Sequence, residues 1–174
     1  MREALYTKIE AHPQNSRILG NAARFLQLSD RVTAEQLLLK AQQLDPASGE
    51  WAWRLGFLYG IGVLGVDGPA FNGQPASVDP LEREGPFALK ARKELDSSKN
   101  PMLLAVAGNV IARYGTAPSE GDRVSHLEDA EQLYVRAQML DPNNPSRKQM
   151  LQQTRAWRAQ MQSSEDPDAP KRKK

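Results

Sequence analysis

Few side chains in this sequence are equipped for chemistry. The chain has 174 residues, no cysteine and two histidines. Without cysteine there is no thiolate zinc site, no disulfide and no thiol nucleophile. His12 stands beside Pro13, and His126 is close to Glu128 and Asp129. Residues two apart do not share a helix face, so His126 and Glu128 make no ligand pair, and a solvated or capping role is expected of both histidines. The acids Glu82, Glu84, Glu128 and Asp129 come in groups, but neighbouring carboxylates at helix starts serve the helix dipole and form no paired-acid signature. One phosphate-loop spacing occurs, Gly60-Ile61-Gly62-Val63-Leu64-Gly65. In a dinucleotide fold this spacing presents backbone amides to a pyrophosphate, provided that it follows a strand and opens a helix. Here it follows a run rich in Trp, Leu and Tyr and leads into Val66-Asp67-Gly68-Pro69, so the glycines are expected to end a helix. No catalytic residue, metal site or cofactor is assigned.

Composition sets the frame for these residues. Apolar residues make up 40% and charged residues 25%, enough for one core and typical of a globular domain. No window approaches the roughly 18 consecutive apolar residues of a spanning helix, and the opening Met1-Arg2-Glu3-Ala4 lacks the apolar stretch of a secretory signal. A cytoplasmic location, or a soluble part of a larger protein, is the expectation. The formal charge of +2 comes from 23 basic against 21 acidic residues. Four of the basic ones form the terminal run Lys171, Arg172, Lys173 and Lys174, so the body carries 19 against 21, or −2. That balance argues against a nucleic-acid-binding face on the folded part, and the run reads as a solvated tail.

The elements that must position any site follow from an internal repeat. Leu44-Asp45-Pro46 recurs as Leu140-Asp141-Pro142, each time closing an amphipathic run, Ala34 to Ala41 and Ala130 to Ala137. Each run places Ala, a larger apolar residue and Ala on one helix face. The pattern resembles the tetratricopeptide repeat (TPR), a Trp-x2-Leu-Gly-x2-Tyr helix A and an Ala-x3-Phe helix B closed by Pro over about 34 residues. In the first repeat, 15–48, Ile18, Asn21, Ala22 and Phe25 match helix A, and Ala34, Leu38, Ala41 and Pro46 match helix B. Leu55-Gly56-Phe57-Leu58-Tyr59 reproduces the core of the second helix A, with Ala52 at the Trp position between Trp51 and Trp53. Leu104, Ala107, Gly108 and Ile111 match the third. Small residues such as Ala22 and Gly56 are expected to let helices A and B approach, with Phe25, Leu38 and Tyr59 filling the surrounding gaps.

The expected architecture is therefore all-α: helix pairs stacked as a short right-handed solenoid over 1–163, followed by a disordered charged tail, 164–174. Helices are expected at 3–11, 15–28, 32–44, 49–60, 86–97, 102–114 and 125–140, with a capping helix at 145–162. A long Gly- and Pro-rich insertion, 60–85, interrupts the second repeat, and Phe71, Val63 and Leu64 within it are expected to lie back on the helices. A second loop runs from Gly115 to about Val124. Residues Arg2 to Ala11 read as a helix B without its helix A, as in a piece cut from a longer protein. The resemblance implies a non-catalytic scaffold whose A helices line a groove for another protein or peptide, without metal or membrane span. The A-helix residues not used for packing are the expected contacts: Leu19, Trp53, Phe57, Asn109 and Arg113. The positions that would hold a Lys and Asn pair for chaperone C-termini carry Leu19 and Ala23, so that specificity is not implied. A nucleotide-binding or enzymatic module built on 60–85 is the competing expectation.

Overall fold

Polar caps set where the helices begin. In the computed structural model, which describes residues 2–66, 79–114 and 120–165, Asn15 accepts from the Ile18 amide at 3.1 Å and starts α2 (Ser16–Leu26). Asp30 accepts from the Thr33 amide at 3.1 Å and starts α3 (Arg31–Leu44). Ser48 does the same for α4 (Gly49–Leu64), and Asn100 accepts from the Met102 and Leu103 amides at the start of α7 (Pro101–Tyr114). Each cap satisfies amides that the first helical turn leaves without a partner. The remaining described helices are α1 (Arg2–Ala11), the short α5 (Pro80–Arg83), α6 (Pro86–Ser97), α8 (Glu120–Leu140) and α9 (Pro145–Glu165). No strand pairs into a sheet among the described residues.

The expected bounds hold closely for α1, α3, α6 and α7. The larger differences have local causes. α4 continues past Gly60 to Leu64, because Gly60 and Gly62 are packing positions inside the helix. Only Gly65 ends it: at φ 66° it is left-handed, and the Gly65 and Val66 amides donate to Gly62 O and Ile61 O in a Schellman arrangement. Val63 and Leu64 are thus buried in a helix. α5 forms within the expected insertion, started by Asp79 and Pro80. α8 begins at Glu120, inside the expected second loop. Residues 67–78, with Phe71, the segment 115–119 and the tail beyond Glu165, with Lys171 to Lys174, lie outside the described residues.

α4 is the hub. It packs on α3, α6 and α7, while α2 packs on α3, α7 on α8, and α8 on α9. Leu19, Leu26, Trp51, Leu55, Leu58, Ile61, Leu64, Leu104, Ile111 and Leu127 are fully buried along this stack. The glycines decide which helices touch. A Cβ on Gly56 would stand 2.5 Å from Leu103 O, so Gly56 abuts α7 and not, as expected, its own helix B. Gly62 takes that part instead, since its Cβ would meet Phe87 of α6 at 2.6 Å. Gly108 of α7 does face α8 as expected: a Cβ on it would stand 3.2 Å from Ala130 O.

α2 is turned by one residue from the phase expected of a first helix A. Leu19, Ala22, Ala23 and Leu26 are buried, whereas Asn21 and Phe25 are exposed and Ile18 is half-buried. The stripe at 19, 22, 23 and 26 is the one that presents two large leucines to the core. α3 has the expected phase: Ala34, Leu38 and Ala41 are buried.

Buried phenols give the fold an alkaline limit. Burial pushes the Tyr134 hydroxyl up to about 12, against the nearby positive charge of Arg113, and burial followed by the hydrogen bond to Glu35 raises Tyr59 still further. In the unfolded chain both ionise near 10, so their contribution to stability is complete below that pH and is lost as the pH rises. For Tyr134 the loss spans pH 10 to about 12 and amounts to about 2 to 3 kcal/mol. Denaturant melts across that range will show this decline, and Tyr134→Phe will flatten it. An equal decline in Tyr134→Phe and wild type would contradict the assignment.

Candidate functional site

The three edges of α4 follow from its neighbours. Gly56 and Gly60 face Leu103, Val106 and Val110 of α7. Trp51 faces Gly20 of α2, and Arg54 reaches the same place, its Nη1 donating to Gly20 O at 2.6 Å. Gly62 faces α6. Between the α7 edge and the α2 edge one strip of the helix remains, and Trp53 and Phe57 occupy it, one turn apart. Their rings stack with centroids 5.8 Å apart and an interplanar angle of 14°. Trp53 is 50% exposed and Phe57 half-buried.

This pair opens onto a cleft of about 390 Å³ lined by Ala23 and Arg24 of α2, Gln27 just after it, Leu38 of α3, and Trp53, Arg54, Phe57 and Leu58 of α4. Its floor is apolar: Ala23, Leu38 and Leu58 are buried. Its charged lining is cationic. Arg54 is already engaged, donating to Glu50 Oε1 at 2.5 Å as well as to Gly20 O, with its guanidinium carbon 5.7 Å from the Trp51 ring centroid. Arg24 is exposed and forms no ion pair with any described residue. The cleft thus combines a flat aromatic wall with an available guanidinium and an amide, Gln27.

The structure brings together two of the five expected contacts, Trp53 and Phe57. Leu19 is corrected: it is 0% exposed, a core residue of α2, because the helix is turned by one position. The same rotation brings Arg24 and Gln27 to the cleft. The signal for them was the stripe at Leu19, Ala22, Ala23 and Leu26, which a fixed 34-residue register obscures. Asn109 is half-buried and Arg113 exposed, both on α7, and neither lines the cleft. Arg113 acts instead on Tyr134 of α8.

A second cavity, of about 240 Å³, lies among α6, α7 and α8. Its arginines are spent within the fold. Arg136 donates to Leu95 O, Asp96 O and Ser98 O, closing the end of α6, and Arg92 donates to Arg83 O. Burial raises Asp129 there above the ordinary carboxylate range, with His126 opposing. The Gly60 to Gly65 spacing offers no phosphate cradle, since Gly60 and Gly62 are packed against Val110 and Phe87 inside α4. No described helix is long and apolar enough to cross a membrane, and no described group of three acidic or histidine side chains converges. Comparison of the chain with protein-family models, with curated proteins and with solved structures gives no match.

Proposed function

We propose that this chain is a non-catalytic scaffold of tetratricopeptide type that holds a segment of another polypeptide against the α2–α4 face. The observation that carries the reading is the Trp53–Phe57 stack, which is left open to water over a buried apolar floor. A large aromatic surface of this kind is costly to expose, and Trp is the side chain most often found at the energetic centre of an interface. The succession of helix pairs α2/α3, α4/α6 and α7/α8, with Gly62 at the second contact and Gly108 at the third, supports the solenoid reading. The cleft is at the small end of ligand sites, about 300 to 1,000 Å³, which suits one or two side chains of an extended segment better than a cofactor.

Selection of random peptides on the full chain tests this. Selected peptides will bind wild type and lose about 2 kcal/mol or more on Trp53→Ala, while the variant melts as wild type does. Peptides that bind Trp53→Ala as tightly as wild type would overturn the proposal.

A further inference from the structure

Resting on that reading, we infer that the cleft selects acidic segments: its occupant carries an aspartate or glutamate beside a leucine or aromatic side chain, and Arg24 reads the carboxylate. Charge complementarity favours this occupant, because the other charged group of the cleft, Arg54, is already committed within the fold. Both charged residues lining the cleft are arginines, and no carboxylate joins them there. Glu50, three residues before Trp53, is held by Arg54, whose other amino group is committed to Gly20 O. Arg54 is therefore a fixed part of the wall, and a ligand gains little from it.

Arg24 differs. It is exposed near the C-terminal end of α2, pairs with no described acid, and shares the cleft rim with Gln27, the residue that follows the helix. A guanidinium presents a planar fork of donors that matches a carboxylate in a two-point contact, which a single ammonium cannot reproduce. Gln27, one position short of a full turn away, adds an amide that can donate to the same carboxylate or to the segment's backbone. The Trp53–Phe57 wall then takes the apolar neighbour. An acid alone would be weakly and diffusely held at this exposed rim, and an apolar side chain alone would not distinguish one partner from another. The two together give affinity from the wall and selectivity from Arg24.

The test is random-peptide selection on the full chain and on Arg24→Gln, followed by fluorescence anisotropy with synthetic peptides. Each selected peptide is paired with a twin in which every Asp and Glu is replaced by Asn and Gln. Wild type will enrich acidic residues next to leucine or aromatic ones, and the acidic peptides will bind about tenfold more tightly than their twins, a ratio that shrinks with added salt. Arg24→Gln will bring that ratio close to one while leaving the twins' affinity unchanged, whereas Trp53→Ala will weaken acidic peptides and twins alike. Arg24 is exposed, and an unchanged melt of Arg24→Gln excludes misfolding as the cause. Peptides that depend on Trp53 but show no acid preference, or a preference that survives Arg24→Gln, overturn this inference and leave the proposed function standing. Selection that yields no Trp53-dependent peptide overturns both.

Discussion

Trp51→Ala will cost about 3 to 5 kcal/mol of folding stability, while Trp53→Ala, two residues along the same helix, will leave the melt within about 1 kcal/mol of wild type. The indole of Trp51 is 1% exposed and lies against Gly20, where α2 comes so close that no side chain fits between the helices. Arg54 covers its ring. Truncation removes this filling and leaves α2 and α4 with a cavity that two rigid helices close only in part. One term works in the opposite direction: Trp51 Nε1 is buried without a hydrogen-bond partner, and its removal relieves that penalty. Trp51→Phe separates the two effects. It keeps most of the packing and deletes the orphan donor, so its loss will stay below about 1.5 kcal/mol. Chemical denaturation of the three variants decides the matter. Equal losses in Trp51→Ala and Trp53→Ala would mean that both indoles are core and that the aromatic wall of the cleft does not exist as described.

That contrast also shows what the sequence could and could not convey. The repeated Ala-Leu-Ala stripes and the Leu-Asp-Pro stops located α3 and the C-terminal half of α8, because they mark faces that are buried on one side only, and such faces repeat with the helical period. Ala52 and Tyr59 fell on their expected buried positions, and Trp53 and Phe57 on the open strip between them. Leu19 and Phe25 did not, because α2 turns Leu19 and Leu26 into the shared core and leaves Phe25 outside, a tertiary fact that outweighs a register counted from the next helix. Gly60 and Gly62 looked like loop residues, since an isolated glycine in a helix costs about 1 kcal/mol against Ala. Their use lies in contacts with Val110 and Phe87, which are 50 and 25 residues away and leave no local trace. Arg24 was invisible for the same reason as Leu19: a one-residue rotation of α2 moves one into the core and the other to the rim.

Lys90→Met will destabilise the fold by about 3 kcal/mol, although the lysine itself is half-exposed. The loss arises at its partner. Glu35, on α3, is 1% exposed and is held by the Lys90 ammonium from α6 and by the Tyr59 hydroxyl from α4, which donates to Oε1 at 2.8 Å. Three helices thus converge on one carboxylate. An exposed lysine paired with an exposed acid would contribute at most about 1 kcal/mol. Here, removing the cation leaves a charge where water does not reach, and the phenol alone cannot compensate it. Glu35→Gln in the same background supplies the discriminating measurement. The amide still accepts from Tyr59 and carries no charge, so Lys90→Met with Glu35→Gln will regain most of the lost stability, leaving a deficit of about 1 kcal/mol. The two substitutions will therefore be strongly non-additive in a double-mutant cycle, with a coupling of at least about 2 kcal/mol, to which any loss in Glu35→Gln alone adds. A Lys90→Met protein that melts like wild type would place the pair among screened surface contacts. Strict additivity would mean that Lys90 acts through its aliphatic stem on α6 and not through Glu35, and the junction of α3, α4 and α6 would then be held by apolar packing around Phe87 and Tyr59, whose rings lie 6.5 Å apart.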